Sequence, residues 1–260
     1  MRTENELSAV RRREQIMEFL REQEQVTVKA MAVNFGVSDM TIRRDFHILE
    51  EQGLVSIHYG GASLRDMSRR VQSFSIRQEK LYRSKLEIAR AAASFIKEGD
   101  VLFLDTSTTI LLMLRFLPEV NLTIITNSLP VVEETYRNSR IRLHIAPGYY
   151  EEQYGGPLDY STAEYVSRFH YNKAFFGTAA IDAGFGVSAS WEMEAAVKKC
   201  VYANADESYL LTDHTKFGRR NLIKYNDVSA YKQIITDEEL DPEEQNRIAG
   251  NGGKIYIAGS

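Results

Sequence analysis

Residues Val37–Gly53, with the sequence VSDMTIRRDFHILEEQG, predict a helix with a defined start and a defined end. Ser38 is a residue type that favours the N-cap position, where a side-chain oxygen accepts a free backbone N–H. Asp39 then places a negative charge in the first turn, which the helix dipole favours. Gly53 stands where a helix ends in a left-handed residue.

The two faces of this helix differ in character. Ile42, Phe46 and Leu49 recur at the spacing of one apolar face, so the helix is expected to pack on a core through that face. The opposite face carries Met40, Arg43, Arg44 and His47. Adjacent arginines suit a helix in a DNA major groove, because guanidinium groups fork onto guanine edges or phosphates. An ordinary solvent-exposed helix face could carry the same residues. The flanking segments are therefore needed to choose between a DNA-binding helix and an ordinary surface helix.

Those flanking segments favour a winged helix-turn-helix. Val10–Glu24 has the apolar spacing of an amphipathic helix, and Thr27–Phe35 predicts a second, shorter helix that ends at the turn Gly36–Val37. Two short helices joined by a glycine-containing turn are typical of this motif. Leu54–Tyr59 alternates as a strand, and Gly60–Gly61 turns the chain back, which predicts a β-hairpin wing.

The charge of the chain gives no general indication of nucleic-acid binding. The net charge is −4, so any positive surface for DNA must be local. Two basic clusters, Arg11–Arg13 and Arg43–Arg44, supply such local charge in the first 65 residues. A small helical module that binds another protein remains the alternative for this segment.

Composition limits the class of protein. A chain of 260 residues with 43% hydrophobic and 26% charged residues is typical of a globular protein with one large domain, or a small and a medium one. It lacks a run of about 18 apolar residues and an apolar signal region, so a cytoplasmic protein without a membrane partner is expected. Cys200, the single cysteine, excludes an internal disulfide.

From about Arg83 onward, predicted strands and helices alternate. The predicted strands are Val101–Leu104, Leu122–Thr126, Ile141–Ala146, Lys173–Gly177, Glu207–Leu211, Lys232–Ile235 and Lys254–Ile257. This alternation predicts an α/β domain with a largely parallel sheet. We therefore expect a winged helix-turn-helix domain over residues 1–65, a linker over 66–82 and an α/β domain over 83–260.

Polar residues follow several of these strands, at the edge where parallel α/β sheets bind ligands. The first strand is followed by Asp105, Thr106, Ser107, Thr108 and Thr109. Later strands are followed by Asn127, Asp182 and Lys216, and Gly155 lies in a glycine-bearing loop. Hydroxyls and the N–H groups of a helix start suit a phosphate, although a simple helix cap would explain the first run alone. Together the strand ends predict a pocket for a polar anion.

Motifs in both domains resemble the DeoR family of bacterial transcriptional regulators. In the first domain they are TIRRD at Thr41–Asp45, LEEQGLV at Leu49–Val55 and HYGGA at His58–Ala62. In the second they are LDTSTT at Leu104–Thr109, LTIITNSLPV at Leu122–Val131, FFGTAAID at Phe175–Asp182 and LLTDHTKFGR at Leu210–Arg219. The resemblance covers nearly the whole chain.

The resemblance implies a fold and residue roles. It implies a winged helix-turn-helix followed by an effector domain similar to ribose-5-phosphate isomerase, which senses phosphorylated sugars or related metabolites. By position, the DNA-facing residues are Ser38, Thr41, Arg43 and Arg44, with His47 on the same helix face. The effector-binding residues are Asp105, Thr106, Ser107, Thr108, Thr109, Asn127, Gly155, Asp182 and Lys216. Glu192 and Lys198 fall where the related isomerases carry a glutamate and a lysine near the sugar.

The chain departs from the family pattern near the expected ligand. Ser107 occupies a usual glycine position, Pro147–Gly148 replaces paired glycines, and Ala180 stands where a glycine is common, so backbone freedom is reduced. These differences predict a different sugar phosphate or a shifted pose. Phe46 replaces a leucine in the core, which should alter packing only.

Four aromatic residues near the glycine-bearing loop leave two readings open. They are Trp191, Tyr149, Tyr150 and Tyr154. Their rings could stack on a sugar, or they could belong to the core or an interface.

These features predict a transcriptional regulator, with a repressor of a carbohydrate-metabolism operon as the expected form. A phosphorylated sugar in the second domain would control the affinity for operator DNA. Because operators are commonly palindromic, a homo-oligomer, either a dimer or a tetramer, is expected. Neither a catalytic residue, a cofactor nor a metal is predicted.

Two other classes remain as alternatives. One is a sugar-phosphate isomerase with an appended DNA-binding domain, in which Asp182 or Glu192 would act as the base. The other is a structural adaptor, which would show no salt-dependent affinity for DNA.

Overall fold

The computed structural model describes residues 4–23, 25–51, 54–58, 60–64 and 74–259. Contacts between residues divide the chain into two compact units, residues 1–70 and residues 71–260. Among the helices of the described ranges, none has both the length and the apolar character needed to cross a bilayer.

The first unit is a winged helix-turn-helix, as predicted. Its helices are α1 (Glu4–Gln23), α2 (Val28–Phe35) and α3 (Asp39–Glu51). Its strands are β1 (Gln25–Thr27), β2 (Val55–His58) and β3 (Gly61–Leu64), which pair antiparallel in the order β1-β3-β2. Ile42, Phe46 and Leu49 of α3 are buried against Ile16 and Leu20 of α1, which confirms the predicted apolar face.

The turn between α2 and α3 depends on two capping residues. Gly36 has a φ of 63° and ends α2 in the left-handed region, where a glycine avoids the clash of a β-carbon. Ser38 begins α3, since its Oγ accepts the backbone N–H of Thr41 at 3.2 Å.

The wing also depends on its two glycines. Gly60 has a φ of 86°, and its carbonyl oxygen accepts the N–H of Val28 at 2.9 Å. Gly61 lies against β1 so closely that a β-carbon would be 2.2 Å from the carbonyl oxygen of Val26. The motif HYGGA therefore provides the turn and the close approach of β3 to β1.

One of the predicted basic clusters holds the first unit together. Asp45, in the middle of α3, is buried, and its carboxylate accepts Arg12 Nε at 2.6 Å and Arg13 Nη1 at 3.1 Å. Two residues of the Arg11–Arg13 cluster thus join α1 to α3. The positive charge on the exposed face of α3 comes from Arg43 and Arg44 instead.

The second unit is built on a parallel sheet. Its strands are β4 (Val101–Leu104), β5 (Leu122–Thr126), β6 (Ile141–Ile145), β7 (Tyr150–Glu151), β8 (Gly156–Pro157), β9 (Tyr171–Gly177), β10 (Ala180–Asp182), β11 (Gly186–Ala189), β12 (Ala205–Leu211), β13 (Ile223–Asn226), β14 (Gln233–Asp237) and β15 (Ile255–Ala258). Its helices are α4 (Phe74–Glu79), α5 (Tyr82–Ala93), α6 (Thr108–Met113), α7 (Leu129–Thr135), α8 (Tyr160–Val166), α9 (Glu192–Tyr202) and α10 (Pro242–Gly250). Seven strands form one sheet in the order β15-β14-β12-β9-β4-β5-β6, and every pair is parallel. The predicted α/β fold is therefore confirmed.

Both faces of the sheet are buried, which explains the continuous apolar runs of its strands. Successive side chains point to opposite faces, so Phe176 and Phe103 belong to one core cluster and Phe175 and Leu104 to the other. Because all seven strands are parallel, their carboxyl ends meet at one edge of the sheet.

Several short elements differ from the predicted pattern. The strands β10, β11 and β13 form a separate antiparallel sheet, and β7 pairs with β8 as a hairpin. These strands of two to four residues are too short to show a periodicity. Helix α4 lies inside the segment 66–82 that the sequence indicated as a linker, and residues 65–73 of that segment lie outside the described ranges.

Candidate functional site

The predicted DNA-facing residues share the exposed side of α3. Ser38, Arg43, Arg44 and His47 are exposed, and Thr41 is half-buried. Met40 lies on the same side, with 72% of its surface exposed. This side combines two guanidinium groups with an apolar side chain, and these are the groups that read guanine edges and thymine methyls.

Glu50 links α3 to the wing. Its Oε1 accepts the backbone N–H of Ile57 in β2 at 3.0 Å, and its Oε2 lies 3.7 Å from Nδ1 of His47. Glu50 thus adds a polar link between the wing and α3 to the core packing of Val55 and Ala62.

In the second unit, a buried lysine organises the carboxyl ends of the central strands. Lys198 of α9 lies 3.0 Å from Asp105 Oδ2 and 3.0 Å from Glu194 Oε1, and donates to the carbonyl of Gly177 at 2.6 Å. Asp105 Oδ2 also accepts the N–H of Gly177 at 3.0 Å. The lysine therefore connects α9 to the ends of β4 and β9.

Electrostatics keep this lysine charged. Burial alone would lower the pKa of Lys198, but Asp105, Tyr225 and Glu194 outweigh burial and hold the pKa well above its usual value. The acid in this group is Glu194, whereas Glu192, the residue suggested by the family resemblance, is exposed at the start of α9. Lys198, the other residue suggested by the resemblance, lies beside Asp105.

Ser107 fits its unusual position because a neighbouring residue lacks a side chain. A β-carbon on Gly177 would lie 2.6 Å from both Cβ and Oγ of Ser107. The side chain of Ser107 therefore fits only because residue 177 is a glycine. Ser107 Oγ accepts the N–H of Thr109 and caps α6 at 3.2 Å. Thr106, Thr108 and Thr109 are also buried at this strand end.

Asn127 connects the end of β5 to the glycine-bearing loop. Its Nδ2 donates to the carbonyl of Pro157 at 3.0 Å, which leaves Oδ1 buried without a hydrogen-bond partner in the described part of the chain. The loop backbone lies directly on Asn127, since a β-carbon on Gly156 would be 1.8 Å from the Asn127 carbonyl oxygen. An unpaired buried amide oxygen is costly unless a ligand or water supplies a donor.

The neighbouring Gly155 makes room for another part of the protein. It has a φ of 77°, and a β-carbon there would lie 2.9 Å from Cδ2 of Phe74 in α4. The space left by Gly155 is therefore filled by the Phe74 ring.

The four aromatic residues of this region do not share one environment. The ring of Tyr154 is buried and packs 5.7 Å from the ring of Trp191. Tyr149 and Tyr150 are exposed. Tyr154 thus belongs to the core, and the half-buried Trp191 packs against it, which agrees with the second of the two readings.

Asp213, at the end of β12, acts electrostatically on two lysines, Lys85 and Lys216. Burial lowers the pKa of Lys85 to about 8, Asp213 opposes this, and the positive charges of Lys216, Arg77 and Lys80 lower it further. Burial likewise lowers the pKa of Lys216. Lys85 and Lys216 thus share the field of one carboxylate, Asp213, and a bound anion would further stabilise their charged forms.

Lys85 was missed by the sequence analysis. It lies in α5 and reads as one of many helix lysines, yet it is buried and its Nζ donates to the carbonyl of Arg77. The signal that could have found it is its position on the apolar side of α5, three residues before Ile88 and four before Ala89.

Asp182 lies at the end of β10, next to Ile181, which bridges to Phe217 directly after Lys216. Its Oδ1 accepts the N–H groups of Gly184 and Phe185 at 3.0 and 2.7 Å and lies 3.1 Å from Arg220 Nη2. Burial would raise the pKa of Asp182, but these hydrogen bonds and Arg220 lower it overall. The carboxylate therefore shapes the turn between β10 and β11, and its place among the ligand groups stays a prediction.

His214, which follows β12, contacts the end of the neighbouring strand β14. Its Nδ1 lies 2.7 Å from Asp237 Oδ1, and its Nε2 lies 3.5 Å from Glu239 Oε2. Within the described residues these three side chains form the one group with the spacing of metal ligands. Both ring nitrogens of His214 already face carboxylates. His214 therefore links the ends of β12 and β14.

Comparisons with known proteins assign both units. The profile described as "DeoR C terminal sensor domain" matches residues 80–238, and the "DeoR-like helix-turn-helix domain" matches residues 12–67. The uncharacterized HTH-type transcriptional regulator YulB of Bacillus subtilis is 32% identical over 89% of this chain and 90% of its own. The HTH-type transcriptional repressor GlcR of the same species is 31% identical over 93% of each chain. The lactose phosphotransferase system repressor of Lactococcus lactis is 30% identical over 90% of this chain and 92% of its own.

Among solved structures, ribose 5-phosphate isomerase A of Methanocaldococcus jannaschii is similar over 51% of this chain and 53% of its own. The identity is 21% and the TM-score is 0.38.

The chain belongs to the DeoR family of transcriptional regulators. It is therefore a DNA-binding regulator and not an isomerase with an added domain. Of the two candidate bases for an isomerase, Asp182 is held in a turn and Glu192 is exposed.

Replacing Lys198 tests its structural role. Lys198→Met is expected to lower the free energy of unfolding by about 3–5 kcal/mol, because Asp105 and Glu194 would remain buried without their cation. The exposed neighbour offers a matched control, and Lys199→Met should change stability by less than about 0.5 kcal/mol. Urea unfolding of the full-length protein measures both, and equal losses in the two variants would contradict the assignment.

Proposed function

We propose that this protein represses a carbohydrate-metabolism operon and that a phosphorylated sugar controls its affinity for operator DNA. The observation that carries the proposal is the concentration of buried polar groups at the carboxyl ends of the parallel strands. Those ends combine the two lysines in the field of Asp213, Lys85 and Lys216, with the unpaired Oδ1 of Asn127. Parallel α/β sheets bind ligands at this edge.

The two kinds of polar group match the two ends of a sugar phosphate. Lys85 and Lys216 provide ammonium groups for the phosphate, whose charge would offset the burial and the neighbouring positive charges that lower both pKa values. Asn127 Oδ1 accepts hydrogen bonds only, which suits a sugar hydroxyl. The remaining residues proposed from the sequence are Asp105, Thr106, Ser107, Thr108, Thr109, Gly155 and Asp182. Of these, Asp105 and Ser107 are already engaged in contacts within the protein.

The relatives support the class of ligand. GlcR is named as a repressor, and the Lactococcus protein is named as a repressor of a lactose phosphotransferase system. Phosphotransfer during uptake makes phosphorylated sugars, so a regulator that senses one would report on that uptake. By this likeness we extend repression and a phosphosugar effector to the present chain.

The DNA-binding surface is proposed to be the exposed side of α3, with Ser38, Thr41, Arg43, Arg44 and His47. Met40 adds an apolar contact from the same side. Paired helix-turn-helix units bind the half-sites of palindromic operators, so we propose a homo-oligomer that acts in the cytoplasm.

The proposal is tested by fluorescence anisotropy of operator-length DNA from upstream of the protein's own transcription unit, measured with a panel of hexose and pentose phosphates. Tight, salt-sensitive binding that one sugar phosphate weakens is the expected result. Salt-sensitive binding that no sugar phosphate alters would contradict the effector. Binding that does not depend on salt would contradict the DNA-binding surface.

Removing the two arginines of α3 tests the proposed DNA contact. Arg43→Ala combined with Arg44→Ala is expected to weaken operator binding by about 2–6 kcal/mol, taking about 1–3 kcal/mol for each arginine that contacts a base. Sugar-phosphate binding should be unchanged. Arg168→Ala, which removes an exposed arginine in the second unit, is the control. An operator affinity equal to that of the control would remove α3 from the interface.

The pKa of Lys85 predicts a pH dependence for effector binding. A sugar phosphate is dianionic well above its second pKa of about 6. A change in binding affinity at higher pH therefore comes from titration of a group on the protein. Affinity is expected to fall as the pH rises through about 8, because the ammonium of Lys85 then loses its proton. Calorimetric titration at several pH values measures this fall.

The variants of two lysines complete this test. Lys85→Met should bind more weakly and lose most of the pH dependence, whereas Lys97→Met, which removes an exposed lysine after α5, should keep both. A wild-type affinity that does not change across this pH range would contradict the assignment of Lys85.

A further inference from the structure

Helix α4 is held in place by contacts at both of its ends. At its first residue, the Phe74 ring fills the space above Gly155. In its last turn, Arg77 Nη2 donates to the carbonyl of Gln153 at 2.8 Å. The carbonyl of Arg77 in turn accepts the ammonium of Lys85.

These contacts matter because α4 cannot be stable alone. It has six residues, and isolated helices shorter than about 12 residues are marginal in water. The position of α4 therefore depends on Phe74, Arg77 and Lys85.

Two of these residues also belong to the charge system of the proposed effector site. Lys85 lies in the field of Asp213 and Lys216. Arg77 lies in the field of Glu194 and Asp105, which belong to the Lys198 group. The contacts that hold α4 thus use the same charges that an anionic ligand would meet.

A phosphate placed beside Lys85 would compete for the ammonium group that now binds α4. The carbonyl of Arg77 is a neutral acceptor, whereas a phosphate oxygen is charged. The ammonium of Lys85 is a charged donor toward either acceptor, but the full negative charge of a phosphate attracts it more strongly than the dipole of a carbonyl does. The ligand would therefore draw Lys85 away from the Arg77 carbonyl.

We propose that α4 is a ligand-sensitive latch, which anion binding at Lys85 releases. The inference rests on the proposed effector site and adds how that site is read out. Along the chain, α4 is the first described element after the first unit, which ends at residue 70, and it begins at Phe74. A ligand that favours the released state of α4 would change the start of the second unit, to which the DNA-binding unit is joined.

Hydrogen exchange of the full-length protein tests the latch, with inorganic phosphate as the probe. Amides of α4 are expected to exchange about fivefold faster or more when phosphate is added, the lower end of the range for coupled sites. Amides of α10 should not change. Calorimetric titration of the same protein measures whether phosphate binds.

Two variants separate the latch from the ligand site. Phe74→Ala removes an anchor that carries no charge, so phosphate should still bind, while α4 exchanges fast in both states and the phosphate-dependent increase is lost. Gln78→Ala, an exposed residue of the same helix, should keep the increase and serves as the matched control. If Phe74→Ala does not fold, Phe74→Leu, which also carries no charge and fills less of the space above Gly155, replaces it with the same expected loss.

The outcomes distinguish the two proposals. Phosphate that binds and accelerates exchange in α4 supports the latch. Phosphate that binds without changing α4, or that slows its exchange, overturns the latch and leaves the effector site standing. A failure of phosphate to bind overturns the anion site, and the latch with it. A Phe74→Ala variant that keeps the phosphate-dependent increase also overturns the latch.

Discussion

The second unit depends on neutralising one buried ammonium group. Lys198 has 4% of its side chain exposed, and a charge so far from water is tolerable only with partners of opposite charge. Asp105 at the end of β4, Glu194 on α9 and the Gly177 carbonyl at the end of β9 supply them. These partners come from three elements that are distant in sequence. These contacts therefore fix α9 against the carboxyl ends of β4 and β9.

Around this constraint, the strand ends divide into groups that the protein satisfies and groups that it does not. Asp105, Ser107 and Asp182 are engaged by neighbours and shape the backbone. Asn127 Oδ1 lacks a partner in the described ranges, and Lys85 carries a pKa lowered by burial and like charge. Such unfavourable features persist where a ligand relieves them. The contrast between the two groups supports a binding site and not a purely structural core.

The architecture could be predicted from local patterns, whereas part of the site could not. The apolar spacing of Ile42, Phe46 and Leu49 and the alternation of strands and helices both led to the observed fold. Asp105 was found because it directly follows a strand. Glu194 and Lys85 were not found, because a charged residue on a helix is ordinarily exposed and only tertiary partners show that it is buried. For the same reason the sequence pointed to Gly155 but did not predict that the Phe74 ring occupies the space beside it.

The central claim is that one ligand site and one DNA surface are thermodynamically linked, and reciprocity tests it most directly. The affinity of the effective sugar phosphate would be measured with free protein and with protein saturated by operator DNA. Linkage requires that bound DNA lower the protein's affinity for the sugar phosphate by the same factor by which bound sugar phosphate lowers its affinity for DNA. This factor is typically about 5–150-fold. We expect the two factors to agree. A sugar phosphate that binds both forms of the protein equally would contradict the account.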